Sequence, residues 1–212
     1  MTTAVIGTGG LGSVIARQLA SGGEALRLSS ADTGSARRLA AAIGGTAVVA
    51  RDNRDALQGA DAVVLALRFT VLAGVIEEVA DSLTDKVVVV PSNPLSADAH
   101  GNVSRVLPAG QSSGTVVAGW LPQRTRLAMA FGTLSANLLA SASHRSPEAV
   151  LFYATDDGRA GEEVDRLIRT AGFEPLRIGG IEQSSRLEVG GDLHDLIVGL
   201  AEARSLIERQ QV

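Results

Sequence analysis

Short runs of Ala, Val, Ile and Leu alternate along this chain with longer stretches whose apolar residues recur at helical spacing. Thr3-Ala4-Val5-Ile6 reads as a buried strand and Ser13 to Ala20 as a helix. The Gly22-Gly23 stop leads into a second strand, Glu24 to Leu28. Thr46 to Ala50 predicts a third strand, and Arg51 to Gly59 a short helix or turn. Asp61 to Leu67 is a fourth strand, Val71 to Leu83 a helix, and Lys86 to Val90 a fifth strand that runs into Pro91-Ser92-Asn93-Pro94. Strands that are continuously apolar and alternate with helices predict a parallel sheet covered on both faces and joined by right-handed crossovers. The class is α/β, with a doubly wound, Rossmann-type, mostly parallel sheet.

Residues 95–114 are rich in Gly, Ser, Pro and Ala and carry no period, so a long loop without regular structure is expected there. Ser113 to Trp120 predicts a short helix, Leu127 to Phe131 a sixth strand and Ala149 to Thr155 a seventh. Glu162 to Thr170 reads as a helix that stops at Gly172, and Glu174 to Ile178 as an eighth strand. The stretch from Gln183 to Gln210 is expected to be largely helical, interrupted at Gly190-Gly191. Its Leu193, Leu196, Ile197, Leu200, Ala203 and Ile207 would share one face, fit for the core or for a homodimer contact. No repeat or linker divides the chain, so residues 1–212 are expected to form one domain, its sheet extended by C-terminal strands and followed by a C-terminal helix.

The first candidate chemistry is Gly7-Thr8-Gly9-Gly10-Leu11-Gly12, which falls between the first strand and the first helix. In a dinucleotide site the first glycine permits the tight turn, the second lets a pyrophosphate approach the backbone, and the third lets the helix pack on the strand. Free N–H groups of the first helical turn then face the phosphates. With strand and helix both in place, the motif reads as a dinucleotide site more readily than as an ordinary glycine turn. The tip of the second strand separates NAD from NADP, since an acid there would bond the ribose hydroxyls of NAD. This chain has Ser29-Ser30-Ala31, with Asp32 a few positions late and Arg37-Arg38 in the next helix. Hydroxyls with a nearby arginine favour NADP, although Ser29 and Ser30 also suit a plain loop, and Arg37 and Arg38 a solvated face. Leu67-Arg68 and the Ser92-Asn93-Pro94 turn fall at the same carboxyl edge of the sheet, where ligands of such folds lie. A methyltransferase using the same turn would be expected to carry an acid at that strand tip, which Ser29-Ser30 does not supply.

Composition narrows the picture. Apolar residues make up 45% of the chain but aromatic ones only 3%, so the core is built from Ala, Val, Leu and Ile. The formal charge of −4 and a pI near 5.4, with arginines dispersed, argue against nucleic acid as a main partner. Cysteine is absent, which removes disulfides and thiolate chemistry. No apolar run approaches the roughly 20 residues of a membrane span, and no signal-like segment precedes the first strand; a cytoplasmic protein is expected. His100, His144 and His194 are scattered, so no metal site is expected. His100 lies in the long loop near the active edge, whereas His144 and His194 read as surface residues. Trp120 fits the core or an interface better than a ring site. Asp156-Asp157 and Glu162-Glu163 read as helix-start carboxylates, and Ser184-Ser185-Arg186 as either a phosphate contact or a helix cap.

Several separated stretches together resemble the short F420-dependent NADP oxidoreductases, the family of NADPH:F420 reductases. They are the glycine turn, Ser92-Asn93-Pro94-Leu95, the segment from Leu121-Pro122 to Ala130-Phe131-Gly132-Thr133-Leu134, and Gly179 to Glu188. The resemblance implies hydride exchange between NADP(H) and a deazaflavin, coenzyme F420, or a flavin-like small-molecule acceptor. It also implies that orientation of the two rings, and not an acid/base pair, carries the rate. By the family's pattern, Gly9 to Gly12 would hold the pyrophosphate, Ser29 and Ser30 the 2′-phosphate, and Arg68, Asn93 and Pro94 the adenosine or nicotinamide side. Phe131, Gly132, Thr133 and Leu134 would face the second ring. Ser30 stands where many relatives have Arg, Gly132 where they often have a polar residue, and Arg68 where a proline is common. The first two differences point toward an alternative, a non-catalytic NADP-binding sensor or regulatory protein. An aromatic-lined cavity beside the nicotinamide position is required by the enzyme; a closed one would sink that reading.

Overall fold

The computed structural model describes residues 1–208. Its first half is a strand–helix alternation: β1 (Thr2–Ile6), α1 (Gly10–Ser21), β2 (Ala25–Ser29), α2 (Thr33–Ile43), β3 (Ala47–Val49), α3 (Asn53–Leu57), β4 (Ala62–Leu65), α4 (Phe69–Leu83) and β5 (Val87–Val90). Then come β6 (Leu95–Ala97), β7 (Val103–Arg105), α5 (Ser113–Trp120), β8 (Arg126–Met129), α6 (Ala136–Ala142), β9 (Val150–Ala154), α7 (Gly158–Thr170) and β10 (Glu174–Gly179). A 3-10 turn over Ile181–Leu187 and α8 (Leu200–Glu208) complete the described chain.

Eight strands form one sheet in the order β10-β9-β8-β5-β4-β1-β2-β3. Its pairs are parallel except β8 with β9, which meet antiparallel at Met129 and Ala154. The fold is thus the Rossmann-type α/β sheet that the sequence pattern predicts, extended by β8 to β10. Side chains of successive strand residues point to opposite faces, which divides the core in two. Val5, Val64 and Val89 join Ile15 and Leu19 of α1 and Val164 and Leu167 of α7 on one side. Ile6, Val63 and Val88 join Leu72, Ile76 and Val79 of α4 on the other. The strand order reverses between β1 and β4, and the crevice at their carboxyl ends is where such sheets hold ligands.

The structure corrects three expectations. The segment after Pro94 is not wholly irregular: β6 and β7 form an antiparallel hairpin, with Leu95 opposite Arg105. Val103, Ser104 and Arg105 are exposed, so no buried face left a hydrophobic period to read. The hairpin's turn closes on Asp98, whose carboxylate accepts hydrogen bonds from the Asn102 side chain and from the backbone N–H groups of Asn102 and His100; the Asn102 amide foremost holds it below the ordinary aspartate range. Helix α6 is an addition; it packs on α1, where Gln18 Nε2 donates to Leu139 O.

Third, the C-terminal stretch is not one interrupted helix. Between the 3-10 turn and α8 lies an irregular segment, because Gly190 turns at φ +89° and a Cβ on Gly191 would stand 2.4 Å from Arg186 O. Leu193, Leu196, Leu200, Ala203 and Ile207 pack on one core cluster and Ile197 on the other; Leu193 and Ala203 are buried and the other four half-buried, so these residues do not share one helix face. The last two positions of that expected helix, Arg209 and Gln210, lie outside the described residues. No described helix is long and apolar enough to cross a membrane.

Candidate functional site

The glycine turn is shaped by contacts that exclude side chains. Gly7 turns at φ +99° and donates its N–H to Ser29 O at 2.8 Å, while an added Cβ would lie 2.2 Å from Ala66 O. A Cβ on Gly12 would lie 2.0 Å from Gly7 O, so α1 can sit on the end of β4 only with glycine there. Gly9 is different: it caps α1 at φ −72° and a Cβ on it would meet nothing within 4 Å. The first helical hydrogen bond is donated by Ser13 to Gly9 O, so the N–H groups of Gly10, Leu11 and Gly12 precede it and lack helical partners. These donors, with the positive end of the helix dipole, make an anion site.

Two adjoining spaces extend from this turn along the carboxyl edge of the sheet. One, of about 640 Å³, is lined by Gly7, Thr8, Gly9, Ser29, Ser30, Ala31, Thr33, Leu67 and Arg68, and on the α3 side by Arg51, Asp52 and Asn53. The other, of about 330 Å³, shares Gly9, Leu67 and Arg68 and adds Gly10, Leu11, Gly12, Phe69, Pro91, Ser92, Asn93 and Leu95. The cleft therefore runs from the tip of β2, past the helix start, to the turn after β5. Thr8 is held in place by its hydroxyl, which donates to Ser35 Oγ at 2.9 Å. Asn93 is fixed at both ends, donating to Gly132 O at 3.0 Å and accepting from Val189 N at 2.6 Å.

Behind Pro91, Ser92 and Asn93 lies a separate cavity of about 20 Å³, lined also by Ser113, Gly132, Thr133, Ser184 and Glu188. That is room for one water and not for a ring. Thr133 is buried there and its hydroxyl has no partner. Glu188, 4% exposed, accepts the N–H and hydroxyl of Ser113 at 2.7 Å on one oxygen and Arg105 at 2.6 Å on the other. It thereby ties the β6–β7 hairpin and the start of α5 to the C-terminal segment. Ser184 accepts the N–H of Gly114 at 3.0 Å, while Arg186 pairs with Asp192 at 2.8 Å, so this motif braces the fold and leaves no phosphate contact.

Other sequence-predicted residues fall outside the cleft. Arg37 is exposed and does not line it, because its helix turns that side to solvent. Pro94 is buried beside the cleft, its carbonyl accepting Val106 N–H of the hairpin. Phe131 does not face a ring site: the chain turns inward after β8 at φ +65°, and the side chain is 0% exposed in the core. Leu134 is likewise core, at 2% exposure. Gly132 and Thr133 line only the small cavity, and a Cβ on Gly132 would stand 2.2 Å from Pro91 O, which explains the absence of a polar side chain there. Trp120 leans on Phe69 with ring centroids 5.3 Å apart. His100 sits on the hairpin turn and His144 on the surface; His194, read as a surface residue, is instead largely buried, its side chain 14% exposed and 3.6 Å from Asp195. Asp157 caps α7 by accepting Ala160 N–H at 2.8 Å.

Sheet topology, glycine turn and cleft together define the fold of NAD(P)-dependent oxidoreductases. The model of the coenzyme F420-dependent NADP oxidoreductase family matches residues 2–94, so the family resemblance read from the sequence is found again over β1 to the Asn93-Pro94 turn. No curated protein sequence matches the chain. Among solved structures, a hypothetical protein from Sinorhizobium meliloti is 26% identical with a TM-score of 0.82, covering 93% of this chain and 95% of its own. A protein from Arthrobacter sp. FB24, described as a proposed F420-dependent NADP reductase, is 21% identical with a TM-score of 0.74, covering 87% and 88%. An imine reductase from Myxococcus stipitatus, solved with NADP+, is 17% identical with a TM-score of 0.67; the match covers 90% of this chain but 59% of that one.

Proposed function

We propose that residues 1–212 act as one NADP(H)-binding domain of an oxidoreductase that exchanges hydride between NADP(H) and a flat acceptor, coenzyme F420 or a flavin. The observation that carries this reading is the run of adjoining spaces from Ser30 past the free N–H groups of Gly10 to Gly12 to Asn93, which has the position and donors of a dinucleotide site. The group fits at the pyrophosphate: Gly9 opens the backbone and no carboxylate lines the 330 Å³ space, while Asp52 and Glu78 line the 640 Å³ space with Arg51. NADP, when bound, supplies the hydride chemistry. The chain binds the pyrophosphate at the start of α1 and orients the nicotinamide end against Pro91, Ser92 and the doubly anchored Asn93. Phe69, Leu11 and Leu95 give that end an apolar lining.

The cavity behind Asn93 is too small for a ring and has no aromatic lining, so the place this reading leaves for the acceptor is the 330 Å³ space, where Phe69 is the aromatic lining residue. The small size of that cavity is the specific observation favouring the second reading, an NADP-binding sensor without an acceptor pocket. An absorbance assay separates them. NADPH oxidation that follows added F420 or FMN, saturates with acceptor and exceeds the protein-free rate by at least about 10⁶-fold is the expected result. NADPH binding with no turnover by either acceptor would leave the sensor.

A further inference from the structure

We infer that Arg51, which follows β3, is the cation that receives the 2′-phosphate of NADP and sets the preference for NADP over NAD. This rests on the dinucleotide reading of the cleft. Where the phosphate charge would be met is otherwise unexplained: the tip of β2 is Ser29-Ser30 and Arg37 does not line the cleft. Ser29 is itself buried, with its hydroxyl donated to Asn53 Oδ1 at 2.8 Å, so it has little left to offer a phosphate.

Register brings Arg51 to the position. β2 and β3 are parallel with Leu28 opposite Val49, and Ala50 N donates to Leu28 O at 2.9 Å. Two residues beyond this pair on each chain stand Ser30 and Arg51, and both line the same space with Ala31 and Thr33. Only Arg51 and Arg68 bring positive charge to the cleft among the described residues. Arg68 stands where the two spaces join, whereas Arg51 lines only the space at the β2 tip.

Two acids, Asp52 and Glu78, also line this space; their hydrogen bonds hold them to α3 but leave their charge, so the Arg51 cation is what a phosphate needs here. Asp52 accepts Asp55 N at 2.7 Å as the cap of α3, and Glu78 accepts the Asn53 amide at 3.2 Å. Asp55 accepts Arg51 N at 2.9 Å, and this backbone bond foremost keeps its carboxyl below the usual aspartate range. The Arg51 guanidinium itself has one long contact, 3.4 Å to Asp55, and its side chain is 81% exposed. A planar fork with most of its donors free suits a phosphate, which takes two parallel N–H bonds.

The test is calorimetric titration of the full chain with 2′,5′-ADP and 5′-ADP, and with NADPH and NADH, for the wild type and for Arg51→Gln, Arg51→Lys, Arg68→Gln and Arg37→Gln. Wild type is expected to bind 2′,5′-ADP at least about tenfold more tightly than 5′-ADP. Arg51→Gln erases that preference, with 5′-ADP and NADH changed by less than about twofold, and Arg51→Lys keeps part of it. Unchanged thermal unfolding shows that the variant is folded. A preference kept in Arg51→Gln, or lost only in Arg68→Gln or Arg37→Gln, overturns the assignment and leaves NADP binding standing. A wild type that binds the two nucleotides equally overturns the assignment and the NADP preference, and one that binds neither overturns the dinucleotide reading as well.

Discussion

Gly12→Ala is expected to destabilise the protein by about 3 kcal/mol, the upper part of the range for overpacked interiors, and to abolish nucleotide binding. The added methyl would stand 2.0 Å from Gly7 O and 2.9 Å from the Ala66 side chain. Neither neighbour can retreat: Gly7 is fixed by its bond to Ser29 O, and Ala66 N donates to Ile6 O at 2.9 Å. Helix α1 must therefore lift from the sheet, opening the core around the fully buried Ile15 and Leu19. For a chain of this size about 3 kcal/mol lowers Tm by roughly 10 °C. Urea and thermal unfolding measure it, and a variant as stable as wild type would show that the turn is not packed in this way.

Gly9→Val separates binding from folding at the same turn. Gly9 has an extended backbone that valine adopts readily, and its Cβ would enter open space, so only the weaker helix cap costs stability, about 1 kcal/mol. The side chain would stand where the backbone is bare toward the cleft. Affinity for NADPH is expected to fall about 100-fold, through loss of charge-assisted bonds to the first-turn N–H groups. Calorimetry beside a melting curve reads both quantities. A stable Gly9→Val protein that binds like wild type would remove the pyrophosphate from this turn.

The contrast between these two glycines is only half legible in the sequence. Spacing identifies the motif, but which glycine is packed and which is open depends on Ala66, far along the chain on the end of β4. Strands β1, β4 and β5 are legible because both their faces are buried, leaving uninterrupted apolar runs. The β6–β7 hairpin was hidden for the opposite reason, having little burial to leave a mark. At the C-terminus, apolar spacing from Leu193 to Ile207 imitates a helix although an irregular segment packs half of those residues, and the glycine pair that breaks the regularity was visible. Phe131 was misplaced because reading a strand through it ignores the inward turn at φ +65°. Arg51 could not be found locally at all. Its nearness to Ser30 is a product of β2–β3 pairing, a register that the local pattern around either residue does not specify.

The cleft's role as an NADP site is tested most directly by titrating the wild-type protein with NADPH and, separately, with NADH in a calorimeter. Micromolar or tighter NADPH binding, about −8 kcal/mol or better, with NADH weaker by about tenfold or more, is expected of a cleft with free N–H donors at one end of α1 and Arg51 at the tip of β2. Binding of neither nucleotide would contradict the dinucleotide reading of the glycine turn, and the proposed oxidoreductase would fall with it.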